Sequence, residues 1–560
     1  MTAQLPSRTA TPSLATLTLK GKPLVEAWLD EQHDLSAVER FARKHERGDL
    51  PTQAKFYREL IPLTKPAAGQ QYAFDVDLDA CTGCKACVTA CHNLNGLDDD
   101  EVFRDVGLLI GGSFDLPVIQ HVTTACHHCL EPACLDGCPV KAYEKDEVTG
   151  IVKHLDDQCI GCQYCILKCP YDVPKYNASR GIVRKCDMCS DRLKVGEAPA
   201  CVQACPNQAI RINIIDRAIV KERAAANVFL PGAPEPGYTL PTTNYHGKRT
   251  LPQNMLPADE HAVSPQHAHP PLVIMLVLTQ LSVGAFAVER MLRWLLPLNE
   301  SNGATSGMAH AVVSLALGLL ALGASTMHLG RPMYAFRAII GLRTSWLSRE
   351  IIVFGGFAGA AAAYAAATWL LPGKALEMLR NICNLGAISA GLLGVFCSAM
   401  IYHDTRRAFW TINQTATKFA LTLLWLGAAT TLLTTTLAGE SWQPWIRPLL
   451  FIIAAVGAAK LLFESLVFRH LRNPLNTPQR RTARLLVGAL SRLTAARFII
   501  GISGGIILPF LIAMSVADGS SPSLPLIALV LLSTLAGELL ERILFFAAVV
   551  APKMPGGAHA

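Results

Sequence analysis

Sixteen of the 18 cysteines in this 560-residue chain lie between positions 81 and 205. They form four groups of four: Cys81, Cys84, Cys87 and Cys91; Cys126, Cys129, Cys134 and Cys138; Cys159, Cys162, Cys165 and Cys169; Cys186, Cys189, Cys201 and Cys205. Thiols this dense point to disulfides or to metal. A disulfide framework is not expected, because residues 1–30 show neither the apolar core of a secretory signal nor a twin arginine. Zinc usually takes two separated C-x2-C pairs, often with histidine. Here three or four cysteines follow one another at intervals of two or three residues, and three groups end in Cys-Pro, at Pro139, Pro170 and Pro206. That spacing suits iron–sulfur cubanes, which take three thiolates from one tight loop and a fourth from elsewhere. Sixteen thiolates suffice for four [4Fe–4S] clusters, a row of centres for moving single electrons.

Composition divides the rest of the chain. Half of it is hydrophobic and 17% is charged, with most of the charge ahead of the apolar runs that begin near residue 271. The expected organisation is an N-terminal extension over 1–70, a four-cluster domain over 71–229, a proline-rich linker over 230–270, a membrane region over 271–550 and a tail over 551–560. In the extension, Ser36–Arg47 places Val38, Phe41 and Ala42 on one helical face, to pack on its own domain or on a partner. β-Prone stretches at Tyr72–Val76, Ile151–His154 and Ile210–Ile214 flank the cysteine groups. The linker should be extended over a surface, and its His246, His261, His267 and His269 read as solvated polarity. Eight apolar runs follow, at about 271–290, 307–328, 350–371, 381–402, 417–438, 447–467, 498–515 and 524–548. Each is long enough, or nearly so, to cross about 30 Å of hydrocarbon. The seventh is short and contains Pro509. Cys383 and Cys397 lie in an apolar run and read as core. The net charge of +7 does not indicate nucleic acid, because much of the basic excess lies in loops between apolar runs, where it reports topology.

The cysteine groups resemble the bacterial ferredoxin run, and ferredoxins imply a pairing. In two-cluster ferredoxins the fourth cysteine of each run crosses to the other cluster. By that resemblance Cys126, Cys129, Cys134 and Cys169 hold one cluster, and Cys138, Cys159, Cys162 and Cys165 the next. Cys81, Cys84, Cys87 and Cys205 hold a third, and Cys91, Cys186, Cys189 and Cys201 a fourth. The whole set (CTGCKACVTAC, CHHCLEPACLDGCP, CIGCQYCILKCP and CDMC…CVQACP) resembles the iron–sulfur subunit of dimethyl sulfoxide reductase-like molybdenum enzymes. The membrane half resembles their anchor subunit through HLGRPMYAFRAI (328–339), SWLSREI (345–351), CSAMIYHDTRRAFW (397–410) and GELLERILFF (537–546). The implied fold is a tandem ferredoxin-like α+β domain followed by an all-α polytopic domain of eight helices. The implied partners are a molybdopterin (bis-guanine dinucleotide type) catalytic subunit, membrane quinone and the lipid bilayer. Substrate catalysis is then expected on the other polypeptide. This sequence joins in one polypeptide what the family usually divides between two.

Loops after the second, fourth and sixth apolar runs carry fourteen Lys and Arg, against five on the other side. Basic loops stay in the cytoplasm, so the cluster domain and both termini are expected there, in a bacterial inner membrane. A cytoplasm-facing relative resembles membrane-bound sulfite dehydrogenase. His328, Arg331, Tyr402, His403 and Arg406 should share one level beneath the cluster domain, with Arg349 and Glu350 opening the third helix on the same side. Ionisable groups there suit a quinone site, since quinone chemistry needs proton donors and acceptors. Haem ligation by His328 and His403 is the rival reading, and no haem is expected because the resembling anchor family lacks it. Two alternatives stand beside this one: a passive tether whose clusters serve a soluble acceptor, or an anchor of a polysulfide- or formate-type molybdenum oxidoreductase.

Overall fold

The computed structural model describes residues 54–295, 303–370, 377–438, 443–516 and 522–556, together with 18–19, 22–23, 26 and 47. The candidate helix Ser36–Arg47 lies outside the described residues, its last residue aside.

The cysteine region is a small α+β domain. Strand β1 (Gln70–Asp77) is central, with β8 (Ile210–Asp216) antiparallel on one edge and β9 (Asn244–His246) parallel on the other. Its burial on both faces explains the unbroken run Tyr72–Val76. A hairpin of β2 (Asp105–Gly112) and β3 (Pro117–Thr124) carries β10 (Leu256–Pro257) on its edge. Two short hairpins, β4 (Tyr143–Lys145) with β5 (Val152–His154) and β6 (Lys175–Asn177) with β7 (Ile182–Arg184), complete the domain. The expected strands are present; the hairpins β2–β3 and β6–β7, and the strand β4, are additional. The segment expected as a linker supplies β9 and β10, so it is woven into the domain rather than laid over it.

Among the described residues, eight helices are long and apolar enough to span a membrane. They are α1 (Pro270–Leu295), α2 (Gly303–Thr326), α3 (Trp346–Leu370), α4 (Glu377–His403), α5 (Ile412–Ala438), α6 (Gln443–Ser465), α7 (Ser491–Ser515) and α8 (Leu524–Ala547). Helices α1 and α5 are the most buried and meet at Gly284 and Gly427, where a Cβ on either would strike the other backbone. Small residues of this kind let helices approach closely in lipid. Threonines on α5 return their hydroxyls to carbonyls one turn back, as Thr422, Thr431 and Thr434 do, so these donors are not stranded in the apolar interior. Pro509 follows a π-turn over Ser503–Ile507, which accommodates the missing N–H within α7.

The two halves are clamped together. Arg331 donates to the Asp156 carbonyl at 2.9 Å and Arg337 to the Asp157 carbonyl at 2.8 Å. Ser345 donates to the Gly137 carbonyl at 2.8 Å, and Lys168 pairs with Asp404 at 2.7 Å. Gly161 and Gly181, with φ of 70° and 67°, both press on the backbone of Gly330. The left-handed φ and the close approach together require glycine at Gly161 and Gly181. Beyond α8, Lys553 pairs with Asp259, and the Gly556 carbonyl accepts from the Leu108 amide at 3.1 Å, tying the tail to β2.

Candidate redox centres and the cavity beneath them

None of the 18 cysteines is joined in a disulfide. Each C-x2-C loop turns through a left-handed residue immediately before its second cysteine: Gly83 (φ 73°), His128 (φ 42°), Gly161 (φ 70°) and Met188 (φ 61°). This shared turn directs the thiols of each loop inward and aims backbone N–H groups at sulfur. Ala142 donates to Cys138 Sγ at 3.2 Å, Gly161 to Cys159 Sγ at 3.4 Å, Met188 to Cys186 Sγ at 3.4 Å and Ala209 to Cys205 Sγ at 3.3 Å.

Fourth cysteines cross between loops. Cys81 has Cys87, Cys205 and Cys84 as its acidic neighbours. Cys91 faces Cys201 and Cys189, and Cys186 faces Cys91 and Cys189. Cys134 faces Cys169, Cys126 and Cys129, and these four ring a common void. Cys165 faces Cys162, Cys138 and Cys159. Among the described residues no three His, Cys, Asp or Glu side chains close on the radius of a single ion. Three cysteines from one segment joined by one from another is the ligand pattern of a [4Fe–4S] cluster in ferredoxins. Burial pushes the Cys91 thiol up to about 12 and those of Cys138 and Cys169 to about 11. Thiolates in these pockets need compensating positive charge, which iron supplies.

The quartets stand in a row, numbered from its open end: Cys81, Cys84, Cys87 and Cys205 first; Cys91, Cys186, Cys189 and Cys201 second; Cys126, Cys129, Cys134 and Cys169 third; Cys138, Cys159, Cys162 and Cys165 fourth. Cys87 neighbours Cys201, which links the first and second; Cys186 neighbours Cys126, which links the second and third. Tyr143 has Cys165, Cys134 and Cys138 around it, between the third and fourth. One end is open, with Cys84 exposed. Two cations are buried in the row: Arg104 among Cys87, Cys91, Cys186 and Cys201, and Lys185, whose Nζ lies 3.5 Å from Cys126 Sγ. The cysteine spacing gives no sign of either, and both offset the negative charge that the thiolates bring.

The other end meets the helices at a cavity of about 300 Å³. Cys162, Gln163 and Tyr164 form its roof; His269, His328, Glu350 and Tyr402 bring polar groups; Leu272, Met275, Leu322 and Phe354 make the walls apolar. His328 lines this cavity together with Cys162, and burial holds its ring below the ordinary histidine range. Ser398 donates to the buried Glu350 carboxyl, which no described ion pair includes. Tyr402 is packed edge-on to Trp410, Phe545 and Phe546.

Of the residues the sequence offers for this site, His328, Glu350 and Tyr402 come together on the cavity. The other four do not line it. Arg331 reaches the cluster domain, Arg349 donates to the Leu342 and Arg343 carbonyls just ahead of its own helix, and Arg406 lies over the Tyr238 ring at 4.1 Å. His403 ends α4 outside the cavity wall. His269, grouped by sequence with the solvated linker histidines, is instead part of the wall. Its position directly before Pro270–Pro271 is the available signal, since it places the residue at the mouth of the first membrane helix.

A second buried polar group lies among α5, α6, α7 and α8. Arg497 bonds Glu464 at 2.8 and 3.0 Å and Glu538 at 2.8 Å, and Lys460 lies 3.3 Å from Glu538. His310, which has no evident partner in the sequence, is buried with Nδ1 2.8 Å from the Thr434 hydroxyl.

Comparison with known proteins agrees with this division of the polypeptide. The family model described as DMSO reductase anchor subunit matches residues 266–548, and the model for a 4Fe-4S dicluster domain matches residues 118–215. The sequence is similar to the B subunit of anaerobic dimethyl sulfoxide reductase from Haemophilus influenzae, 36% identical over 168 residues, which is 28% of this protein and 82% of the relative. It is similar to the corresponding subunit of Escherichia coli (strain K12) at 38% over 154 residues, 26% of this protein and 75% of the relative. It is also similar to the formate dehydrogenase-O iron-sulfur subunit of the same strain at 35% over 169 residues, 27% of this protein and 56% of the relative.

Proposed function

Because this chain belongs to the dimethyl sulfoxide reductase anchor-subunit family and carries an iron–sulfur dicluster half ahead of the anchor, it is an electron-transfer and membrane-anchor subunit, and we propose that it joins a separate molybdopterin catalytic subunit to the quinone pool. The sixteen cysteines hold four [4Fe–4S] clusters in the quartets described above. Bound there, the clusters supply one-electron steps along the row. The observation that carries the quinone reading is a shared wall: Cys162 of the fourth quartet and His328, Glu350 and Tyr402 line one apolar cavity.

In this reading the protein's own residues orient the carrier and handle its protons. The apolar walls hold the quinone ring and keep out bulk water. His328, on the cavity wall beside the Cys162 loop, bonds one quinone oxygen through a ring nitrogen. Glu350, oriented by Ser398, holds the proton exchanged at the other oxygen. The exposed Cys84 end of the row suits the catalytic subunit.

We place the cluster domain in the cytoplasm. Six of the fourteen basic residues counted toward that topology serve other contacts. Arg331, Arg337, Arg406 and Arg481 touch the cluster domain or the linker, and Lys418 and Arg497 are buried ion-pair partners. The remaining excess on that face supports the orientation, and a periplasmic reporter signal from a fusion at Ala560 would overturn it. The substrate belongs to the partner subunit. The quinone reading is tested by adding a short-chain naphthoquinol to membranes holding the complex. It requires that the visible absorbance of the clusters bleach, and that a quinone-analogue inhibitor block the bleaching.

A further inference from the structure

The cavity has a way in for protons that runs through the proline-rich segment. A larger crevice, about 650 Å³, lies between the cluster domain, the linker and the ends of the helices. It shares Gln163, Ile166, Leu167 and His269 with the cavity. Ser264, Gln266 and His267 on its rim are exposed to solvent. His269 is therefore a titratable group common to a wet space and an apolar one.

Three imidazoles cross that boundary in sequence. The rings of His267 and His269 lie edge-on with centroids 4.6 Å apart, and those of His269 and His328 edge-on at 5.0 Å. His267 Nδ1 accepts the His269 backbone N–H at 3.2 Å, which leaves its proton on Nε2. His269 stands at φ 47°, a left-handed conformation rare for a bulky residue and one that glycine would adopt freely. The strain is held in place on both sides: Gln266 donates to the Ala547 carbonyl at 2.9 Å, and the His269 carbonyl accepts from Leu272 and Val273 at 2.9 and 3.1 Å. Strain of this kind, maintained by surrounding bonds, marks a side chain whose direction matters.

We propose that His267 and His269 form a proton relay between the solvent-filled crevice and the quinone cavity, an inference that rests on the quinone reading above. Each quinone reduced takes two electrons from the cluster row and two protons from solvent, and its two carbonyl oxygens become hydroxyls. The reverse direction releases the same two protons. In this relay one ring nitrogen of His269 takes up a proton from the His267 side as the other gives one up toward the cavity. Burial, then the neighbouring His328, His267 and Arg407, hold the ring at about 4, so it is neutral at rest and passes a proton without storing charge. Solvent replaces His267 more readily than His269, because the His267 ring is exposed and His269 is half-buried beside Phe546.

The test uses membranes carrying the assembled complex with His269→Gly, a change that keeps the backbone conformation and removes the ring. Two quantities are read: binding of a fluorescent quinone-analogue inhibitor, and the rate of cluster bleaching by a short-chain naphthoquinol in H2O and D2O. A relay predicts inhibitor affinity within about threefold of wild type. It also predicts bleaching slowed at least about tenfold, a larger solvent isotope effect, and recovery on adding imidazole. His267→Ala slows bleaching less. A His269→Gly rate within about twofold of wild type overturns the relay, as does a slow rate that imidazole leaves unchanged while inhibitor binding is lost. If wild-type membranes neither bind the inhibitor nor bleach, the quinone reading fails and the relay with it.

Discussion

His328 and Cys162 line one wall of the same cavity. One residue opens the loop between two membrane helices; the other belongs to the last cysteine quartet. That shared wall is the junction between the electron row and the apolar cavity, so a perturbation of either side should be felt at the other.

Replacing His328 with Ala should therefore uncouple the clusters from quinol without emptying them. Quinol-driven bleaching should fall about 10²–10⁴-fold, the usual weight of a positioned acid–base group. Dithionite-reduced EPR signals should keep their intensity, since the ring is not a ligand.

Glu350→Gln keeps the shape and the Ser398 contact and removes the ionisable proton. Quinol-driven bleaching should fall about 10²-fold, with inhibitor affinity little changed. Ser398→Ala should cost less, because it disturbs only the orientation of the carboxyl. Paired stopped-flow and inhibitor titrations of the two variants check both points.

Lys185 places a buried cation 3.5 Å from Cys126 Sγ and donates to the carbonyls of Cys186 and Val152. Removing a charge at this range changes the local energy by a few kcal/mol at an effective dielectric near 20. Lys185→Met should make the potential of the adjacent centre more negative by roughly 100 mV. Redox-poised EPR reads this directly, and an unchanged potential would show that solvent screens the site.

Breaking the buried ion group among α6, α7 and α8 should destabilise the membrane half. Arg497→Met leaves Glu464 and Glu538 facing each other with Lys460 as their remaining shared cation. The expected loss is about 3–5 kcal/mol, seen as a lower thermal midpoint in detergent while the EPR signals of the cluster half persist.

Gly330→Val should loosen the docking of the two halves. Its side chain would meet the Gly181 backbone, which cannot move without disturbing the β6–β7 hairpin. Overpacking of this kind costs about 1–3 kcal/mol. Faster proteolysis in the cluster domain, with spans intact, is the expected result.

The cysteine half is legible in the sequence because ligand spacing is local. Loops such as Cys159–Cys165 carry their geometry in consecutive residues, so the cluster chemistry and the ferredoxin-like fold can be read directly. The eight spans are legible for the same kind of reason, since length and apolarity are local properties. The division of labour within the anchor motifs is not. Sequence places His328, Arg331, Glu350, Tyr402 and Arg406 at one level, but level does not give direction. Three of them turn into the cavity, while Arg331 and Arg406 turn toward the cluster domain. His269 escapes a sequence reading because scattered histidines in a proline-rich segment ordinarily face water. Only the packing of α1 against the cluster domain brings it to the wall. The β2–β3 hairpin does carry a turn signal, Gly111–Gly112, between two apolar stretches with no cysteine to draw notice to them.

The most direct measurement is EPR of the assembled, reduced complex titrated with a quinone-analogue inhibitor. One of four resolved [4Fe–4S] signals is expected to shift as the inhibitor binds, and the shift should vanish in His328→Ala. Four signals that stay fixed through saturating inhibitor would contradict a quinone lodged against the fourth quartet.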